Sequence, residues 1–344
     1  MTDEYPFRRP LRSHQPGRIT SRLAVNGAHL ARLAGRLTVR DRWLARMVHE
    51  HKVLTTHQIT QIGWPSVRSA NLRLLQLYRW RVLDRFQPFT ASGSAPMHYV
   101  LDTAGASILA AEDGLDPRKL SYRHHTAIGI AHSRQLAHTT GTNGLFTALI
   151  ARARHPAAQE RLTAWWSETR CTSIFGDIVR PDAYGRWHHQ RAGTTEWFLE
   201  YDRGTEPLTK LARKLGRYHQ LARASAITTP VLFWLPSAER ESGARTALAA
   251  AHQSLEDPRL VPVATTHTNA APPNNGDPAA PRWLPLPSSQ SGRLPLAGLT
   301  RAWLHLPPVS PTATQNTTTP DSGLRPPTPM PPNQLGSMAT SGRW

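Results

Sequence analysis

The run Thr55-Thr56-His57-Gln58-Ile59-Thr60-Gln61-Ile62-Gly63-Trp64-Pro65-Ser66-Val67-Arg68-Ser69-Ala70-Asn71-Leu72-Arg73-Leu74 holds a helix start, a helix stop and a second helix start in quick succession. Thr55 with Gln58 three positions on has the form of a capping box, so a helix begins there. Ile59 and Ile62 give that helix an apolar side, and Gly63 ends it. Pro65-Ser66 then opens a longer helix, 66 to about 80. Val67, Ala70, Leu74 and Tyr78 form its expected buried stripe, with Leu75 and Leu77 flanking. Upstream, Val39, Trp43, Leu44, Met47 and Val48 recur at helical spacing. Downstream, Val82-Leu83 and Phe86 read as one strand, 90–96 as a flexible tip, and His98-Tyr99-Val100-Leu101 as a returning strand. Helix, helix, helix, hairpin is the order of a winged helix-turn-helix, expected over residues 37–115.

In such a module the second helix of the pair enters the major groove and presents its N-terminal residues to base edges. Arg68, Ser69, Asn71 and Arg73 lie near the start of that helix and off its apolar stripe. Arg reads guanine and Asn reads adenine, each through paired hydrogen bonds. Arg79, Arg81 and Arg85, at the helix end and the base of the hairpin, suit phosphates. The expected partner is double-stranded DNA. The balance of charge agrees: 41 Lys plus Arg against 23 Asp plus Glu, for a formal net charge of +18. Arginine dominates that set, since the lysines are Lys52, Lys119, Lys210 and Lys214 alone. A coding bias accounts for arginine excess as readily as phosphate recognition does.

The ends of the chain differ from the middle. Residues 1–36 are Arg-rich with little periodicity beyond Leu23, Leu30 and Leu33, and read as a flexible basic arm able to add a minor-groove or backbone contact. From residue 265 onward lie 16 of the 30 prolines, mixed with Thr, Ser and Asn. That composition buries too little apolar surface to offset its ordering entropy, so 265–344 is expected to be a largely disordered tail. Within it, the apolar stretch 294–306 with Trp303 is suited to local docking. Cys171 is the only cysteine, which excludes an internal disulfide or a Cys-based zinc site and fits a reducing, cytoplasmic setting. No apolar run is long enough to span a membrane, and the first residues lack the apolar core of a signal peptide.

Residues 126–264 alternate between helix and strand. Helical patterns cover 132–154, 208–224 and 239–253. Strand patterns cover 178–187, 196–202, 231–235 and 260–263, and 162–170 reads as a strand or a helix end. An α-β-β-β-α-β core with an αβ addition implies an α/β sandwich, so the fold class is α+β overall. This block carries Arg180-Pro181-Asp182 and, on the strand Trp197-Phe198-Leu199, the acids of Glu200-Tyr201-Asp202. Alternation puts Phe198, Glu200 and Asp202 on one face. If the strand holding Asp182 is the neighbour, Asp182 and Glu200 can meet at one end of the sheet, a pair suited to Mg²⁺. DNA binding itself requires no cofactor.

Element order and the Pro181-Asp182, Glu200-x-Asp202 pattern resemble the PD-(D/E)XK nuclease core. That resemblance implies Asp182, Glu200, Asp202, Lys210 and Lys214 as the residues of catalysis in an active enzyme, with metal on Asp182 and Glu200. The departure is Asp202, which stands where the family usually has a lysine. Lys210 and Lys214, one turn apart on the next helix, are then the candidate replacements. A third carboxylate repels phosphate, so the expectation leans against hydrolysis. The longer stretch Arg180 to Arg186, Phe198 to Glu206 and Lys210 to Tyr218 is similar to the replication-relaxation family of actinobacterial and other Gram-positive plasmids and mobile elements, over about residues 37–264. The resemblance implies a role in plasmid replication, DNA relaxation or transfer, or their regulation.

Three readings follow: a DNA-binding replication protein, a Mg²⁺-dependent nicking nuclease directed by the winged helix, and a non-catalytic adaptor that recruits replication or transfer proteins. Other signals carry less. His49-Glu50-His51 lacks the apolar residue between the histidines that a relaxase site needs. His124-His125 and His188-His189 are adjacent pairs that cannot chelate together and read as solvated loop histidines. No Walker-type phosphate loop is present.

Overall fold

The structure, a computed structural model, describes residues 23–90, 93–116, 122–271, 273, 276–286, 292–309 and 323–332. The chain divides into two compact units, one from residues 1–136 and 318–344, the other from 137–317.

The first unit opens with α1 (Gly27–Arg36) and α2 (Val39–Glu50). Asn26 caps α1, and its His29 and Leu33 are buried, with His29 Nε2 2.9 Å from the Trp80 carbonyl. The expected arm therefore ends in a packed helix; residues 1–22 lie outside the described residues. A capping box of Thr38 and Asp41 starts α2, and Trp43, Leu44, Met47 and Val48 are buried as the periodicity predicts, while Val39 in the first turn is exposed. After β1 (Leu54–Thr55), the Thr55/Gln58 capping box forms as read and starts α3 (Thr56–Gly63). Ser66 caps α4 (Val67–Arg79). Its buried positions are Ala70, Leu74 and Leu77. Ala70 and Leu74 are buried as expected, whereas Val67 is exposed, Tyr78 is half-buried and Leu77, expected on the flank, is buried instead.

Arg81, at φ +59° in the left-handed region, turns the chain from α4 into β2 (Leu83–Phe86). β3 (His98–Leu101) returns antiparallel to it and also pairs with β1, giving the order β1-β3-β2. Asp102 caps α5 (Thr103–Glu112), and α6 (His124–Gly129) follows. Residues 323–332 also belong here. Trp43 Nε1 donates to the Thr328 carbonyl at 2.8 Å, Arg325 N donates to Asp113 at 2.8 Å, and Leu324 is buried.

The second unit is a six-stranded mixed sheet between helices. Its elements are α7 (Leu136–Ala153), β4 (Glu160–Ser167), α8 (Glu168–Phe175), β5 (Ala183–His189), β6 (Gly193–Tyr201), α9 (Leu208–Ser225), β7 (Val231–Leu235), α10 (Ala238–Gln253), β8 (Val263–His267) and β9 (Leu284–Leu286). Strand order follows the chain, β4 to β9. β4, β5 and β6 form an antiparallel meander; β6, β7 and β8 are parallel, joined through α9 and α10; β9 closes the edge antiparallel. On one face Leu211, Leu215, Tyr218 and Leu221 of α9 and Ala244 and Leu248 of α10 cover Phe198, Val231 and Phe233. On the other, Phe146 of α7 stacks on Trp165 and Trp197, with ring centroids 5.0 and 6.1 Å away. Gly141 lets α7 sit directly on Tyr201, because a Cβ there would lie 2.6 Å from that ring.

In the second unit the expected helix and strand order is present, with α8 and β9 in addition; in the first, β1, α5 and α6 are additional. The expected tail is corrected where it is described. β8 runs to His267, β9 lies at 284–286, and Trp283, Leu296, Leu299 and Trp303 are buried. Arg282, also buried, lies 4.0 Å over the Trp234 ring and donates to the carbonyls of His267 and Thr268 at 2.7 and 2.8 Å. Composition suggested disorder, but a few large apolar side chains find the sheet and outweigh it.

Candidate nucleic-acid interface and buried charge cluster

On α4, helical geometry at about 100° per residue gathers Arg68, Asn71, Leu72 and Arg79 within one arc of the outward face. All four are exposed. Leu72 was not singled out in sequence; it sits 62 % exposed on the same arc as Arg68 and Asn71. Ser69 has a local role: its N–H is capped by the Ser66 hydroxyl at 3.2 Å, and its hydroxyl donates to the Ser66 carbonyl at 2.9 Å.

Arg73 does not join this face. Its Nε donates to Asp41 Oδ1 at 2.8 Å, a second nitrogen donates to Asp41 Oδ2, another reaches Gln76 at 2.8 Å, and the guanidinium lies 5.1 Å from the Trp80 ring. Asp41 is buried, and its hydrogen bond to Arg73 holds that guanidinium's pKa above the ordinary arginine value. Arg73 therefore joins α4 to the start of α2. Arg81 contacts buried Asp102 at 3.4 Å, and Arg85 lies 4.3 Å over the Tyr78 ring. Of the seven expected DNA contacts, Arg68, Asn71 and Arg79 are exposed, and Ser69, Arg73, Arg81 and Arg85 have protein partners.

In the second unit the β5–β6 register pairs Ala183 with Leu199, so Asp182 stands at the strand end next to Glu200, as alternation required. Asp182 Oδ2 accepts from Tyr201 N at 2.7 Å, and Oδ1 lies 3.2 Å from His138 Nε2 on α7. Glu200, 1 % exposed, accepts from Lys214 Nζ through Oε2 and from the Tyr218 hydroxyl through Oε1 at 2.5 Å. Burial pushes the Glu200 carboxyl up to about 7, with Asp182 adding to the rise and Lys214 opposing it. Burial acts against the Lys214 charge, but Glu200 and Asp182 outweigh it and raise its pKa. His138 follows the same pattern: burial lowers it, and Asp182 more than reverses that.

Of the two lysines expected as replacements, Lys214 of α9 is the one that reaches Glu200. Lys210 does not: it is exposed and pairs with Glu206 at 2.6 Å. Asp202 is buried and its oxygens are taken. Arg240 at the start of α10 donates to its Oδ2 at 2.6 Å, and Gly204 N donates to its Oδ1 at 2.9 Å. The donor set does not fit a resident Mg²⁺. Glu200 is buried with the Lys214 ammonium on one oxygen and the Tyr218 hydroxyl on the other, which leaves no place for the waters that Mg²⁺ keeps. Sequence reasoning missed His138 and Tyr218. Tyr218 was within reach, one turn beyond Lys214 on the same face; His138 lies on another element with no local signal.

Among the described residues no helix is long and apolar enough to cross a membrane. No curated protein and no solved structure matches the chain. The family model described as Replication-relaxation matches residues 46–232, more than half of the chain, running from within α2 through the Asp182–Glu200–Lys214 cluster into β7, and the protein belongs to that family.

Proposed function

We propose that this protein binds double-stranded DNA in plasmid or mobile-element replication, relaxation or transfer, or in their regulation. Its first unit acts as a winged helix-turn-helix with α4 as the recognition helix and the β2–β3 hairpin as the wing. The observation that carries this reading is the division of labour on α4. One side is packed through Ala70, Leu74 and Leu77 and tied down by Arg73, while the other presents Arg68, Asn71, Leu72 and Arg79 to solvent. Family membership supports the replication context. A band-shift titration against salt tests it. Arg79→Ala is expected to weaken binding equally on all sequences and to lower the salt slope by about one phosphate contact. Unchanged affinity and slope would refute the phosphate role.

The second unit, a nuclease-like α/β sandwich on this reading, serves as a non-hydrolytic adaptor for replication proteins. The locked Asp182–Glu200–Lys214–Tyr218 cluster supports that role. Lys214 beside Glu200 is the one feature that favours a nicking nuclease, and incubation of supercoiled plasmid with the purified protein and Mg²⁺ or Mn²⁺ separates the two.

A further inference from the structure

The adjacent histidines at the start of α6 have different fates. His125 is exposed, whereas His124 turns into the small sheet of the first unit. Its Nε2 lies 2.9 Å from Asp84 Oδ2 on β2 and 3.7 Å from Asp102 Oδ1 at the cap of α5. One donor atom from each of the three lies within 4.8 Å of the other two. Asp102 is fully buried, and the side chains of Asp84 and His124 are 13 % and 26 % exposed. The cluster is therefore closed beneath and open on one side.

We propose that Asp84, Asp102 and His124 form a zinc site with three protein ligands. Zinc takes nitrogen and carboxylate ligands at about 2.1 Å in tetrahedral geometry, which places ligand atoms about 3.4 Å apart. The two observed separations, 2.9 and 3.7 Å, bracket that value, so small side-chain rotations make room for the ion. An imidazole among the donors selects a first-row transition ion over Mg²⁺ or Ca²⁺, which prefer oxygen alone. Both carboxylates are already aimed: Asp102 Oδ1 accepts from Thr103 N at 2.6 Å and from its hydroxyl at 3.0 Å, and Asp84 Oδ1 accepts from Arg85 N at 2.8 Å. Such outer partners orient metal ligands. The open side leaves a fourth position for water.

The competing occupants are a proton on His124 and the Arg81 guanidinium, which lies 3.4 Å from both Asp102 oxygens, Oδ1 included; with the ion bound, the Arg81 side chain, already 30 % exposed, turns to solvent. The site also has a structural task. α6 is six residues long and has no side-chain cap, and Ala127 and Ile128 hold it on Phe86, Val100 and Val53. A helix this short is marginal without tertiary anchoring, and an ion bridging His124 to β2 and α5 provides it.

The test uses the full chain, stripped with chelator and titrated with ZnSO₄ by calorimetry and thermal melting. The expected result is one equivalent bound with a saturable rise in melting temperature. His124→Gln and Asp84→Asn each abolish both effects, while His125→Gln and Asp182→Asn retain them. Cobalt substitution of the wild-type chain gives the visible absorption of a four-coordinate site, a readout independent of whether any variant folds. No zinc uptake by the wild type, binding that survives in a folded His124→Gln, or cobalt spectra of the hexaaquo ion would overturn the site and leave a hydrogen-bonded clasp.

Discussion

Replacing Lys214 by Met removes the ammonium beside Glu200 while keeping most of the side-chain volume. In the wild type, burial raises the Glu200 carboxyl from its ordinary value to about 7 despite the neighbouring lysine. A carboxyl raised in the folded state makes the fold bind more protons than the unfolded chain. Its contribution to stability therefore falls as pH climbs from the unfolded value to about 7, then levels off. Without Lys214 the folded value rises further, because the main opposing charge is gone. Glu200 then stays protonated beyond pH 7, and the levelling-off is postponed. The gap between wild type and variant opens above pH 7 by about 1.4 kcal/mol per pH unit, since each unit of pKa difference carries that much free energy. It levels off at about 3–5 kcal/mol, the range for breaking a buried pair by removing one partner. Below pH 6 the variant loses little more than a hydrogen bond, about 1 kcal/mol. Urea melts of both proteins from about pH 5 to about pH 9 measure this directly. Parallel stability curves across that range would refute the assignment of Glu200 as a buried carboxylate held ionised by Lys214.

Arg73→Ala is expected to destabilise the first unit by about 3 kcal/mol, because buried Asp41 loses its cationic partner, and to leave the DNA affinity of the folded fraction unchanged; thermal melts with band shifts check both. Truncation after residue 317 removes the acceptor of Trp43, the Arg325–Asp113 contacts and buried Leu324, so the melting temperature of the first unit should fall, and an unchanged melt would show those contacts to be idle. The purified protein should not nick supercoiled plasmid with Mg²⁺ or Mn²⁺, and nicking that disappears in Asp182→Ala and Glu200→Ala while DNA binding persists would restore the nuclease reading.

Local rules carried the sequence reading furthest. The Thr55/Gln58 box and the Ser66 cap formed as read because capping involves only residues three apart. The meeting of Asp182 and Glu200 was legible because the β5–β6 connection is short, which fixes an antiparallel register. What failed depended on packing between distant segments. Arg73 reads as a surface arginine until α2 brings Asp41 against it across 32 residues. Asp202 reads as an obstacle to phosphate until Arg240 neutralises it from α10. His138 and His124 carry no local pattern, since their partners lie 44 and 40 residues away. The segments 276–286 and 292–303 were misjudged for a different reason. Their proline and threonine content describes the average of the stretch, whereas Trp283, Leu296 and Trp303 decide where they lie.

Recognition by α4 is tested most directly by selecting bound sequences from a random duplex pool with the wild-type chain, then measuring affinity for the selected site and a scrambled one with Arg68→Ala, Asn71→Ala and the double variant. Each bidentate base contact is worth about 1–3 kcal/mol of discrimination. The single variants should therefore lose about 5- to 150-fold on the selected site and much less on the scrambled one, with melting temperatures like the wild type's. Failure of the wild type to enrich any sequence, or a double variant that matches it on both duplexes, would contradict the account.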